Sequence, residues 1–96
     1  MKTEWLEWLI LFKKYGSLQR VSDICHVTPQ NIGRMFINLE NETAIELFDR
    51  SNRNLKLSQA GKEMAEVSEE VINKLNEVIH KHQIKQERIS GDLELI

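Results

Sequence analysis

Between residues 28 and 34 the chain sets Thr28, Pro29, Gln30, Asn31 and Arg34 close together, directly after a short segment of helical apolar periodicity. None of these is a nucleophile with a base beside it. Their chemistry is hydrogen-bonded recognition. The amides of Gln30 and Asn31 donate and accept side by side, which matches the edge of an adenine, and the forked guanidinium of Arg34 matches a guanine. A good two-point pair of this kind discriminates between bases by about 1–3 kcal/mol. Pro29 offers an apolar contact of the sort that meets a thymine methyl. The alternative for Gln30 and Asn31 is an ordinary solvated helical turn. Further basic and polar groups stand at Ser17, Gln19 and Arg20, where a helix start would leave free N–H groups suited to a phosphate, and at Arg50, Arg53 and Lys56. Taken singly, each of these cations reads as plain surface charge.

Reaction chemistry finds no comparable set. His80 and His82 are two residues apart, about 200° round a helix, so they cannot share a metal ion without unwinding it. His26 falls in a turn, and Cys25 ends a short amphipathic segment where a small buried hydrophobe is expected rather than a redox sensor. The serines have no base and orienting acid placed to activate them. The expectation is a protein that is not an enzyme and carries no metal and no cofactor.

The recognition residues need elements to hold them. Thr3 to Tyr15 predicts a first helix ended by Gly16, with an apolar stripe (Trp5, Leu6, Trp8, Leu9, Ile10, Leu11, Phe12) wider than one packing face requires. Gly16-Ser17 joins a C-cap to an N-cap, and Leu18 to Cys25 predicts a short second helix. After the turn at His26-Val27, Thr28 caps a third helix with Pro29 at its first position, spanning about Pro29 to Glu40. Two helices joined in this way make a helix-turn-helix. Leu47-Phe48 and Leu55 to Leu57 then read as two short strands around a tip at Ser51-Asn52, a small wing. Ser58 caps a long helix, with Gly61 as a tolerated early residue. From Lys62 to Arg88 it has neither Pro nor Gly and would run ~40 Å at 1.5 Å per residue.

On that helix Met64, Val67, Val71, Leu75 and Val78 recur at three- and four-residue spacing, with Ala65, Ile72 and Ile79 as a flanking line. A chain of this length cannot cover both lines, so a partner helix is implied, parallel or antiparallel. Val67, Val71, Leu75 and Val78 are the expected dimer interface, with Trp5 or Trp8 covering its flank. Ala65, Ile72 and Ile79 are expected to pack within the protomer. The organisation is residues 1–58 as a winged helix-turn-helix, 59–90 as a long dimerisation helix and 91–96 as a tail or the entry to a further domain. The fold class is mainly α, three helices plus a two-stranded wing followed by the long helix.

Ninety-six residues of 11.3 kDa bound this to one domain with an appended helix, and one Pro and four Gly leave little for a turn-rich β fold. The single Cys25 excludes an internal disulfide framework. The longest apolar run is the five residues Trp8 to Phe12, too short for a bilayer, and Glu4 and Glu7 interrupt what would be a signal-peptide core. The expected location is the cytoplasm, without membrane contact. Net charge is −2 and the pI near 5.9, which does not favour a polyanion partner. The balance is uneven: residues 1–58 carry +1 and residues 59–96 carry −3. Any DNA surface must work by local placement.

Leu6, Leu9, Gly16-Ser17-Leu18, Val27-Thr28, Ile32, Arg34, Leu39-Glu40, Leu47-Phe48, Arg50, Arg53, Leu57-Ser58 and Ala60-Gly61 stand in an order that closely resembles the amino-terminal DNA-binding domain of LysR-type transcriptional regulators. The match runs over about residues 3–90 without insertion or deletion. The resemblance implies sequence-specific binding of double-stranded DNA by a dimer at a near-palindromic operator, with Arg53 entering a narrow A·T-rich minor groove. Arg50 would contact phosphate or pair with Asp49 or Glu46. The chain departs from the family pattern at Val21-Ser22 (two alanines), Cys25 (leucine), Pro29-Gln30 (reversed), Gly33 (a phosphate-binding serine), Thr43-Ala44 (Leu-Gly) and Asn52 (glycine). Family members continue into a two-lobed ligand-sensing domain, so no small-molecule effector site is expected within these residues. A naturally short regulator, and a winged-helix interaction module that has lost specific DNA binding, are the other readings. The acidic balance and Gly33 favour the interaction module.

Overall fold

The structure, a computed structural model, describes residues 2–51 and 54–89, with side chains described as far as residue 83. Four helices and one antiparallel strand pair follow in the order α1 (Thr3–Tyr15), α2 (Leu18–Cys25), α3 (Pro29–Thr43), β1 (Phe48–Asp49), β2 (Lys56–Leu57) and α4 (Gln59–Ile89). This is a winged helix-turn-helix with a long trailing helix. Each predicted junction is made by the residue that the chain supplies for it. Gly16 ends α1 at φ +73°, its N–H donating to the Phe12 carbonyl. Ser17 caps α2 by accepting from Arg20 N–H, and Thr28 caps α3 by accepting from Asn31 N–H.

Trp5, Trp8, Leu9 and Phe12 fall at i, i+3, i+4 and i+7, one helical face, and all four are buried. They meet Val21 of α2 and Ile32, Phe36 and Leu39 of α3, with Leu47, Phe48 and Ala65 closing the core. Three rings tie the elements together. Phe12 meets Phe36 and Phe48 edge-on, at centroid distances of 5.9 and 5.5 Å, and Phe36 stacks on Phe48 at 4.7 Å. The two tryptophans expected on the dimer flank are each only 7% exposed. Sharing a face with Leu9 and Phe12 commits them to the protomer's own core.

α3 runs one turn further than the predicted end at Glu40. The Thr43 hydroxyl donates back to the Leu39 and Glu40 carbonyls, and Ala44 then stops the helix in the left-handed region at φ +58°. That conformation normally favours glycine, so Ala44 carries a local strain. The wing is as short as predicted, with Phe48 opposite Leu57 and Asp49 opposite Lys56. The predicted tip residue Asn52, with Arg53 and residues 91–96, lies outside the described residues.

Ser58 joins the wing to α4. Its N–H donates to the Leu47 carbonyl, its hydroxyl donates to the Glu46 carbonyl, and the same oxygen accepts from Gly61 N–H. Gly61 is more than tolerated. A Cβ built there collides with the Leu47 backbone carbonyl oxygen, so only glycine lets α4 lie this close. The first half of α4 packs on α1 through Ala65, Ser68, Met64 and Ile72. Beyond it, α4 outruns every other element, giving a longest dimension of 55 Å. Val67, Val71, Leu75 and Val78 are 50–56% exposed, as the seam predicts. Ile79, expected inside, is 51% exposed because α1 has ended before that turn.

Two substitutions test this account in opposite directions. Gly61→Ala is expected to cost about 2 kcal/mol or more, as overpacking against backbone does. Ala44→Gly is expected to add about 0.5–1 kcal/mol, the relieved left-handed strain less the added unfolded-state entropy. Urea unfolding midpoints of the two variants, compared with wild type, read both effects.

Candidate nucleic-acid interface

Ile32, Phe36 and Leu39 anchor one face of α3 in the core, and this rotates its other face outward. Thr28, Gln30, Asn31 and Arg34 are all exposed there, and Pro29 is half-buried. Among the described residues the side chains of Gln30, Asn31 and Arg34 make no hydrogen bond or ion pair. Gln30 and Arg34 stand one turn apart on the same side. Ile37, not singled out in the sequence, continues that face and is 48% exposed. Only its exposure on a helix otherwise anchored in the core distinguishes it. Gly33 leaves open space, since a Cβ there would approach only the Leu18 side chain, at 3.9 Å.

The groups at the start of α2 divide. Ser17 Oγ is already occupied by its capping bond, and Gln19 Nε2 donates to Asp23 along the helix at 2.9 Å. Arg20 lies over the Tyr15 ring at 5.1 Å with Lys14 at 5.4 Å on the same ring, a pair of cations beside the Gly16 turn. Lys56 is exposed on β2.

Arg50 takes neither of its expected acidic partners. Its Nη2 lies 2.9 Å from Glu40 Oε1, its Nη1 donates to Glu40 Oε2 at 3.2 Å, and its guanidinium rests 5.6 Å from the Phe48 ring centroid. Glu40 Oε2 also accepts from the backbone N–H of Leu47 at 2.9 Å and of Phe48 at 3.2 Å. The Glu40 side chain is 13% exposed and that of Arg50 47%, so the acid is the inner member of the pair. Burial alone would raise the Glu40 pKa. The bonds from Arg50, Leu47 and Phe48 outweigh it and hold the carboxyl below its ordinary value. Asp49 is lowered as well, by the Ser51 hydroxyl and N–H that donate to it at the end of β1. The sequence reasoning missed the Glu40 hub, because Asp49 and Glu46 stand closer to Arg50 along the chain.

Burial, with Glu7 nearby, raises the Cys25 pKa, which keeps it a thiol. Among the described residues no three His, Cys, Asp or Glu side chains gather to hold a metal ion, and no helix is long and apolar enough to cross a membrane.

A helix-turn-helix whose second helix shows a bare polar first turn, with a wing beside it, defines the class of helix-turn-helix regulators. Residues 3–62 match the family described as bacterial regulatory helix-turn-helix protein, lysR family, and the chain belongs to that family. It is 26% identical over 90 residues to a hydrogen peroxide-inducible genes activator of Pectobacterium carotovorum subsp. carotovorum, covering 94% of this chain and 30% of that protein. It is 29% identical over 62 residues to the HTH-type transcriptional regulator YofA of Bacillus subtilis, covering 65% and 22%. The chain therefore spans less than a third of the length of these curated relatives. Among solved structures, the BenM DNA-binding domain in complex with catB site 1 DNA superimposes with a TM-score of 0.85 at 16% identity, covering 95% of this chain and 98% of that one. Vibrio fischeri DarR in complex with DNA gives 0.80 at 21% identity, covering 96% and 31%. These named relatives are regulators, not enzymes.

The depressed Glu40 pKa fixes the sign of a pH effect. Its stabilisation is fully present above the ordinary carboxylate value of 4.5 and is lost as pH falls through the lower folded-state value. Glu40→Gln is expected to lower stability at neutral pH and to flatten the fall below pH 4.5, which urea midpoints for both proteins across that range would show.

Proposed function

We propose that this chain reads duplex DNA sequence-specifically as a two-fold dimer, and that it is the DNA-binding and pairing portion of a LysR-type transcription regulator acting in the cytoplasm. The observation that carries the reading is the exposed first turn of α3, where Gln30, Asn31 and Arg34 are free of every described partner. An unpaired polar cluster on a helix anchored from behind is what direct base readout requires. Residues 1–58 form the reading head, with Thr28 and Pro29 beside the base-contacting groups. Arg20, Lys56 and Arg53 are the backbone and minor-groove cations, and the capped start of α2 at Ser17 and Gln19 presents its N-terminal dipole to a phosphate. Residues 59–90 are the pairing helix, and residues 91–96 lead toward a ligand-sensing domain. The function is recognition, without a catalytic step.

Pairing follows from the seam of Val67, Val71, Leu75 and Val78, each about half exposed among the described residues. The charges of α4 favour an antiparallel partner. Residues 59–73 hold four Glu against one Lys, whereas residues 74–89 hold four Lys/Arg against two Glu, with two His besides. Antiparallel pairing sets each acidic half beside a basic half, and parallel pairing sets like beside like. Two heads on one face of the duplex also compensate for the small charge of +1 on residues 1–58, which leaves a single head weakly attracted to phosphate. The whole-chain net charge of −2, with Gly33 in place of the family serine, is what favours the competing reading, an interaction module without specific DNA binding.

Titration of the purified chain against a random duplex library at two salt concentrations, with mass in solution measured alongside, separates the two. Enrichment of a near-palindromic site by a dimer, weakening steeply with salt, is the expected outcome. A dimer that enriches nothing at low salt would favour the interaction module. Arg34→Ala is expected to cost about 1–3 kcal/mol on the selected site and to relax preference there, while Gly33→Ser, which has room for its side chain, should tighten binding. Leu75→Glu should convert the dimer to monomer and lower operator affinity by about tenfold or more. Binding curves on the selected duplex and sedimentation of each variant measure these.

A further inference from the structure

Glu40 joins the two parts of the head that face DNA in the proposed function. It follows the fully buried Leu39 on α3, so its backbone is rigidly fixed to the turn that carries Arg34. Its carboxylate reaches across to the start of the wing, where Oε2 accepts from two consecutive backbone N–H groups, Leu47 and Phe48, and from Arg50 Nη1, while Oε1 pairs with Arg50 Nη2 at 2.9 Å. On the other side the Ser58 bonds to the Leu47 and Glu46 carbonyls tie the wing base to α4, but Glu40 is the link to α3 that is made by hydrogen bonds. The ladder between β1 and β2 is two residues long, which is too short to be stable by itself. The Phe36–Phe48 stack supplies a floor, but ring contacts are less directional than charge-assisted hydrogen bonds. Without the carboxylate, Leu47 and Phe48 would each lose the partner that their N–H now has.

We infer that Glu40 is a positioning residue that sets the wing's reach relative to the recognition helix, with Arg50 as its orienting partner rather than a phosphate contact. The inference rests on the DNA-binding reading and assigns to this acidic side chain the coupling between major-groove and minor-groove readout. It predicts a specificity defect of one kind only. A head with a misplaced wing still reads bases through α3 but loses its preference for the flank under the wing.

The test uses the full chain and the duplex selected by the wild-type protein, with two altered duplexes. One carries changed bases under α3 and the other a G·C-rich replacement of the A·T-rich flank. Glu40→Gln keeps an acceptor oxygen but loses the charge, and Arg50→Gln removes the cation at the more exposed end of the pair. Both are assayed below their unfolding midpoints, so that Arg50→Gln carries the test if Glu40→Gln does not fold. The expected result is flank discrimination reduced to within about twofold, while discrimination at the bases under α3 stays within about twofold of wild type. The salt dependence in Arg50→Gln should remain that of wild type, because no phosphate contact is removed. Equal loss of both discriminations, or retention of both, would overturn the inference while leaving the DNA-binding reading intact. So would a salt slope shallower by about one in Arg50→Gln, the mark of a lost phosphate contact. A wild-type chain that selects no duplex would instead remove the DNA-binding reading, and the inference with it.

Discussion

Three phenylalanine rings meet where α1, α3 and β1 come together, and the rest of the head is arranged around that meeting point. Phe12 comes from the last turns of α1, Phe36 from the middle of α3 and Phe48 from the start of the wing. Each ring buries a large apolar area, and the edge-on and offset geometries add a directional preference that aliphatic side chains lack. Once Phe36 is seated, the rotation of α3 is set. Ile32 and Leu39 then point inward with it, and Gln30, Asn31 and Arg34 can only point out. Once Phe48 is seated, the first strand begins at a defined place, close enough to α3 for a carboxylate to span the gap. The polar contacts around Glu40 refine an arrangement that the rings have already made possible.

The local parts of this architecture were legible because they depend on residues near one another in the chain. Ser17, Thr28 and Ser58 mark helix starts by the chemistry of a side-chain oxygen and nearby N–H groups, and Gly16 marks a stop by its access to the left-handed region. The turn face of α3 followed from the same helical spacing. What escaped depends on approach between distant segments. The Arg50 partner lies ten residues back, past three nearer acids (Glu42, Glu46 and Asp49), and only the closed fold selects it. Gly61 is merely tolerated by local helix preference, and its necessity comes from the Leu47 backbone packed against it. The tryptophans illustrate a different ambiguity. A stripe as wide as that of α1 does not say which part faces inward, and the large rings went to the core because they fill more of it than Leu6 or Leu11 would.

The charge balance also looks different once the residues have positions. A whole-chain figure of −2 averages a head that is slightly positive with a helix that is acidic near its start and basic further on. The partners that matter for each are separate in space. Fields fall off within about 10 Å at ordinary ionic strength, so the acidic first half of α4 has little influence on cations at the far side of the head. Arg20 and Lys14 gather over one tyrosine ring beside the α1–α2 turn, whereas Arg50 is neutralised within the fold. Counting arginines therefore overstates the free positive charge.

Ser58 and Gly61 give α4 the character of a lever. At its near end the helix is pinned by the two Ser58 bonds to the Leu47 and Glu46 carbonyls and by direct backbone contact with Leu47, the residue whose N–H also donates to Glu40. The whole helix is ~46 Å long over its 31 residues, its first half resting on α1. A tilt of about 5° therefore moves the distant end by about 4 Å on that geometry. Conversely, a displacement of a few ångströms imposed far from the head returns to the pivot as a small rotation of the wing base. In the DNA-binding role proposed above, a grip on the far turns of α4 acts through this helix on the angle of the head.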